Sequence, residues 1–299
     1  MNYVEPTLTV RVGCHVVYQT SQPTPILLSI RPRRELGQTV NQEKFFINGG
    51  NAFQEFTDAH GNLTARTMLA PGQNIVHHDA LVTIQNQPDN LDQPCFALPV
   101  EQLPPELLRY TLPSRYCDSD RLLNFAWQQF GQVPHGRERV YAISNWVHHQ
   151  IEYRYGSGRP DLAASEIVTR RYGVCRDFAH VAIALCRAFN LPARYVTGHL
   201  PDIGYLDPGT PMDFHAYFEV YLGNAWCTFD ARFNTPRVGR VKLAQGLDAV
   251  DGAFSTIYGQ AAMQWFEIWA YQVDPALVSI EDPIDLSKRL DGTTTIRSH

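Results

Sequence analysis

The chain has 299 residues, a length that fits about two domains, and 44% of it is hydrophobic against 18% charged, which excludes wholesale disorder. The net charge is −5 and the densest basic run is only Arg31-Pro32-Arg33-Arg34, which argues against a nucleic-acid-binding surface. No stretch approaches the ~20 apolar residues that a membrane-spanning helix needs, so no membrane partner is expected. Residues 1–6 lack the basic start and apolar run of a signal peptide, which makes the cytoplasm the expected compartment.

Residues 1–90 read as β structure. Alternating or β-rich segments fall at 8–18, 26–30, 45–47, 52–56 and 80–85, with turn signals at Asp58-Ala59-His60-Gly61 and Pro71-Gly72 between them. Short strands at this spacing predict a small β-sandwich. Residues 86–115 carry Pro88, Pro94, Pro99, Pro104, Pro105 and Pro113 and read as a linker to a second domain. Helical patterns follow. Asp118-Ser119-Asp120 offers an N-cap to a first helix, a second is expected over 137–149, a short one over 162–169 and a strong one over 175–189. Asn190-Leu191-Pro192 stops the last of these. Strands are expected at 193–199, 214–222, 225–231 and 265–273, and the last ~25 residues read as an extended tail. The predicted domains are therefore 1–112, an N-terminal β-sandwich, and 113–275, a helix-and-sheet domain, followed by the tail at 276–299.

Six cysteines are present: Cys14, Cys95, Cys117, Cys175, Cys186 and Cys227. None forms a C-x-x-C pair, so neither a disulfide framework nor a zinc site is expected. Five of them read as ordinary buried thiols. Cys175 differs because it opens the helix at 175, after Gly173, which permits a tight turn. The unpaired N–H groups and partial positive charge of a helix start favour a thiolate. Asp177, two residues on, reads as a helix-start acid.

In Phe214-His215-Ala216-Tyr217-Phe218-Glu219-Val220-Tyr221-Leu222 the even positions form one strand face and His215, Tyr217, Glu219 and Tyr221 the other. Gly223-Asn224 reads as a two-residue hairpin loop of the glycine-first kind. With that loop Leu222 faces Ala225 and Tyr217 faces Asp230, so His215 and Asp230 are diagonal neighbours on one face. A three-residue loop would put Asp230 on the opposite face. A carboxylate beside an imidazole fixes its tautomer and orientation, and with a nearby thiol the three groups form a nucleophile, a base and an orienter.

These segments resemble a known family. Gly173-Val174-Cys175-Arg176-Asp177-Phe178-Ala179, Asp213-Phe214-His215-Ala216-Tyr217-Phe218-Glu219-Val220-Tyr221 and Thr228-Phe229-Asp230-Ala231-Arg232 are similar to the three core motifs of the transglutaminase-like superfamily, and most of all to its bacterial transglutaminase-like cysteine peptidase branch. The resemblance implies a papain-related α+β core, in which a helix bearing the cysteine packs on an antiparallel sheet, with an N-terminal β accessory domain before it. It also implies Cys175 as nucleophile, His215 as general base and acid, and Asp230 as orienter. The expected activity is hydrolysis of an amide or peptide bond through a thioacyl intermediate, with a peptide or protein as substrate. The alternatives are acyl transfer to a small amine acceptor and a catalytically silent interaction module. No acidic loop of the EF-hand type is present, so no metal requirement is expected, nor any cofactor. No tryptophan lies near Cys175 in the sequence to match the one that serves transglutaminase intermediates, which favours hydrolysis over transfer.

The remaining candidates read as structural. Tyr153 and Tyr155 are expected to pack, and the backbone N–H of Cys175 is the better oxyanion donor. Arg232, Asn234, Arg237 and Arg240, with Asp248 and Asp251 beyond them, read as a solvated, salt-bridged loop. The adjacent pairs His77-His78 and His148-His149 splay their side chains and are poor metal ligands.

Overall fold

The computed structural model describes residues 7–47, 52–89, 96–205 and 211–291. Six strands come first: β1 (Thr7–Thr20), β2 (Thr24–Leu28), β3 (Gln38–Ile47), β4 (Gln54–Thr57), β5 (Leu63–Leu69) and β6 (Gly72–Gln85). Strand β5 lies between the turn signals at 58–61 and 71–72, in a segment for which the sequence pattern gives no strand. Helices α1 (Ser119–Phe130) and α2 (Arg137–Gln150) follow, then β7 (Glu152–Tyr153), α3 (Ala164–Arg170), β8 (Tyr172–Gly173) and α4 (Cys175–Arg187). The chain continues through β9 (Ala193–His199), β10 (His215–Leu222), β11 (Ala225–Phe229), β12 (Val241–Gly246), β13 (Ser255–Ile257) and β14 (Ala262–Val273).

The sheets order this into an α+β molecule. One sheet runs β11-β10-β9-β12, and all its neighbours are antiparallel. Helix α4 packs across it: Phe178, Ala179, Ala182 and Cys186 share a core with Ala216, Phe218, Val220, Leu222 and Cys227. These are the even positions of β10, the face that alternation predicts. Helices α1, α2 and α3 close the other side of α4 through Ala126, Ile143 and Ile167.

The N-terminal strands form two further four-stranded sheets, β14-β1-β6-β3 and β13-β2-β5-β4. The last two strands thus belong to the N-terminal layer. Cys14 pairs with Ile268 and Leu28 with Ser255. A chain division at 275 follows sequence order, whereas these sheets join residues some 250 apart, a pairing that no local pattern encodes.

Two other expectations need correcting. The described part of the proline-rich stretch is no plain linker: it forms two short 3₁₀ turns at Val100–Gln102 and Pro105–Thr111, and the second buries Leu107 and Tyr110, the latter 5.3 Å from the ring of Trp226 in β11. Cys95 lies outside the described residues. The described part of the C-terminal segment is packed, not frayed. Buried Arg11 is paired with Asp79 at 2.6 Å and donates to the carbonyls of Asp282 and Pro283, Leu290 N–H donates to Gln272 O, and Val278 is buried. No described helix is long and apolar enough to cross a membrane.

Candidate active site

Helix α4 begins at Cys175 because the residues before it stop the helix and Asp177 caps it. Val174 is extended (φ −107°, ψ 175°), and its N–H donates to Asp177 Oδ2 at 2.9 Å. A carboxylate at the third helical position that reaches back to the N-cap amide is half of a capping box. Arg176 holds the other oxygen at 3.1 Å. Gly173 is required by closeness: a Cβ there would lie 2.5 Å from Asp177 Oδ2. Asp177 is thus the helix-start acid that the sequence suggests.

Cys175 is partly exposed and its Sγ lies 3.9 Å from the carbonyl oxygen of Phe214, on the strand start that carries His215. The electrostatics differ from the helix-start expectation. Burial pushes the thiol up to about 12, and the nearby Asp213 carboxylate adds to the effect, while the backbone N–H groups of Ala216 and Arg176 pull the other way. Desolvation of a charged sulfur outweighs the helix terminus here. The resting group is a thiol.

The β10–β11 hairpin has the register that the sequence predicts, Leu222 opposite Ala225 and Phe218 opposite Phe229. Its loop differs in type: Gly223 (φ 51°) and Asn224 (φ 69°) are both left-handed, which makes a type I′ turn in place of the glycine-first one. Both turns have two residues, so the parity is unchanged. Asp230, the residue after β11, meets His215, with Nε2 2.7 Å from Oδ2.

Asp230 is saturated with donors. Arg240 Nη2 donates to Oδ2 at 2.9 Å, and the N–H groups of Arg232 and Phe233 donate to Oδ1 at 3.0 and 3.2 Å. Burial alone would raise its pKa, but His215 and Arg240 overcome this and hold the carboxyl well below the usual range. It is therefore ionised and can only accept, so His215 Nε2 donates and Nδ1 of the neutral ring keeps its lone pair. Burial lowers the pKa of His215, Asp230 opposes it, and Arg240 and Arg237 lower it further. The resting pair is thiol and neutral imidazole.

The reading of Arg240 as part of a solvated, salt-bridged loop holds for its ion pairs with Asp89 and Asp230 and fails for its solvation. Its side chain is 8% exposed, it precedes a strand that the sequence pattern missed, and its Nε donates to Asp89 at 2.9 and 3.1 Å. Asp89 follows β6, so a residue of the N-terminal region fixes the cation that fixes Asp230. Arg237 is buried as well.

Cys175 and His215 open on one cleft of about 260 Å³. The start of α4 and β10 form one wall. Residues of β14, Glu267 to Tyr271, form the facing wall, and Ile284 and Leu286 of the C-terminal segment complete it. Tyr153 lines the cleft, its hydroxyl raised to about 12 by burial first and by Cys175 second, whereas Tyr155 is exposed. Trp269, 94 positions from Cys175 in sequence, is also in the wall. Its indole N–H is committed to Asp79 at 3.0 Å.

Comparison with known proteins bears on the family and the fold. The family description "Transglutaminase-like superfamily" matches residues 124–231, a span that contains Cys175, His215 and Asp230. The crystal structure of a "putative cysteine protease" from Cytophaga hutchinsonii superimposes with a TM-score of 0.81 at 32% identity, covering 90% of this chain and 92% of that one. The chain belongs to the transglutaminase-like superfamily. An uncharacterised protein of Mycobacterium leprae is 27% identical over 92 residues, 30% of this chain and 33% of its own length. One from Mycobacterium tuberculosis is 40% identical over 58 residues, 19% and 18% respectively. The match thus spans a third or less of these curated relatives. Family membership and the Cytophaga structure support a thiol-dependent enzyme.

Sequence reasoning brought Cys175, His215 and Asp230 to this family's motif positions. It missed Arg240, Asp89 and Trp269. Only Arg240 left a signal, as an arginine ten residues after Asp230 beside an apolar alternation (Val241, Leu243) that marks β12.

Proposed function

We propose that the protein is a cysteine peptidase or amidase that works through a thioacyl intermediate. The observation that carries this reading is the 2.7 Å bond from His215 to the fully ligated Asp230, at a cleft that His215 shares with Cys175. Because the resting pair is neutral, the nucleophile forms as it attacks. His215 Nδ1 takes the Cys175 proton while sulfur adds to the amide carbonyl. Asp230 stabilises the imidazolium. The amine leaves with that proton, and water, activated by the same nitrogen, releases the acid. The Cys175 N–H at the helix start is the proposed oxyanion donor.

The test is turnover of a peptide pool, read by mass spectrometry with and without an added primary amine. Cys175→Ala and His215→Ala are expected to abolish it with the fold intact, and Asp230→Asn to lower it without full loss. Free acid as the only product identifies a hydrolase, and an amine conjugate identifies a transferase. Wild-type turnover in Cys175→Ala refutes the nucleophile assignment.

A further inference from the structure

One carboxylate in the cleft has no described cation beside it: Asp213 is held by the backbone N–H of Phe214, and burial raises its pKa to about 6, so it is still mostly ionised at neutral pH. Asp213 is exposed into the space that Cys175 and His215 share, one residue before the carbonyl that contacts the Cys175 sulfur. The other charges of the cleft are engaged. Arg232 lies over the rings of Tyr153 at 3.8 Å and Phe233 at 5.2 Å. Asp202 faces Arg237 at 3.6 Å, Asp291 accepts the Gln272 N–H and interacts with Arg289, and Glu267 lies 3.5 Å from the Trp265 indole nitrogen. No described cation pairs with Asp213.

An unneutralised carboxylate at that position works against the chemistry. Its field disfavours negative charge on Cys175, and so disfavours the attacking sulfur. A bound cation removes the penalty, and the same carboxylate then contributes binding energy where the carbonyl is attacked. Four carboxylates line the cleft against two arginines and His215, so its fixed charges favour the same sign.

We infer that Asp213 is the recognition group for a cationic substrate: the acyl portion attacked by Cys175 carries an ammonium group that pairs with this carboxylate as the carbonyl reaches the thiol. This rests on the cysteine-enzyme reading. It places the substrate among peptides or amides with a free amino group close to the scissile bond, and it makes the nucleophile most reactive when that substrate is present.

The test needs no knowledge of the substrate. Three methanethiosulfonates of matched reactivity, aminoethyl (cationic), methyl (neutral) and sulfonatoethyl (anionic), are reacted with the full-length protein near neutral pH. In each case the Cys175 proton passes to His215, a sulfur–sulfur bond forms and methanesulfinate leaves. Rates at Cys175 are mapped by mass spectrometry and divided by those of 2-mercaptoethanol.

The wild type is expected to favour the cationic over the anionic reagent by about tenfold, the scale of one unscreened charge a few ångströms away in a partly wetted cleft. Asp213→Asn is expected to collapse that ratio toward unity while speeding the neutral reagent, and Asp213→Glu to restore the preference. A melting curve on each variant separates loss of charge from loss of fold. If labelling depends on His215 but the ratio survives in Asp213→Asn, the charge assignment is overturned and the enzyme reading stands. If Cys175 labels no faster than a free thiol and ignores His215→Ala, both are overturned.

Discussion

Arg240 shows how much the carboxylate proposed to orient His215 depends on its own partners. A buried aspartate that serves one imidazole would need other donors to stay ionised, and Arg240 supplies the strongest, itself held by Asp89. The cation acts on His215 too, since it opposes a positive ring. Arg240→Met is expected to raise the His215 pKa, because a neighbouring positive charge is gone. The base must be neutral to act, so the acid limb of the Cys175 labelling profile should move to higher pH, and Arg240→Lys should return it. A role limited to folding would lower rates at every pH without moving the limb. Removing one partner of a buried ion pair also costs about 3–5 kcal/mol, which denaturant titration would read. The sequence offered only the alternation at Val241 and Leu243 that marks β12; an arginine ten residues past Asp230 looks the same whether it is solvated or buried, and the path of the chain into β12 decides.

At the scale of elements, two features position the thiol and the imidazole, and both were legible. The β10–β11 hairpin was readable because Gly223-Asn224 marks a two-residue loop, and parity, which both two-residue turn types share, does the rest. The start of α4 was readable because Gly173, Cys175 and Asp177 stand in the order that a capped, tightly entered helix needs. That second feature gives a sharp prediction. Gly173→Ala places a methyl against Asp177 Oδ2, so the carboxylate must leave the Val174 N–H or the turn must shift. Loss of a cap costs about 1 kcal/mol, so a melting temperature a few degrees lower is expected. Cys175 labelling should slow further than that loss explains, since the cap sets the sulfur against Phe214. Unchanged labelling with a lowered melting temperature would show that the cap stabilises the helix without placing the thiol. What stayed illegible at this scale is the placement of β14, whose strand the sequence does mark at 265–273. Its partner β1 begins the chain, and a strand's alternation names its buried face but not its neighbour. The cleft wall that β14 provides, Trp269 included, was hidden for the same reason.

The whole molecule is a seam between two halves, and the seam carries a titration. His199 ends β9, pairs across to Val241 of β12, and lies 5.1 Å from the ring of Phe214, which belongs to the core of the N-terminal layer. It is 1% exposed, and among the described residues neither ring nitrogen has a hydrogen-bond partner. Burial lowers its pKa to about 3, with His78 a smaller influence. His180, stacked on Tyr116 and accepting the Ala249 N–H at 3.1 Å, is held well below its ordinary value for the same first reason. In the unfolded chain both titrate near 6.5. Above that pH neither state binds the proton, and stability is at its full value. Below it the unfolded chain takes up protons that the folded one refuses, so stability falls from pH 6.5 toward 3, by up to about 1.4 kcal/mol per pH unit for each histidine. The depressed carboxylates, Asp230 and Glu219 among them, have the same sign, but their window opens only near pH 4. Between pH 6.5 and 4.5 the loss therefore comes mainly from buried histidines, and Asp213, raised to about 6 by burial, opposes it. His199→Phe keeps an aromatic ring in the seam, removes two unsatisfied nitrogens and cannot bind a proton. Denaturant midpoints at several pH values should show this variant at least as stable as the wild type at pH 7, and losing less stability on acidification by about one proton's worth. An unchanged slope would mean that His199 reaches solvent or a partner before the protein unfolds, and that the seam opens without global loss of structure.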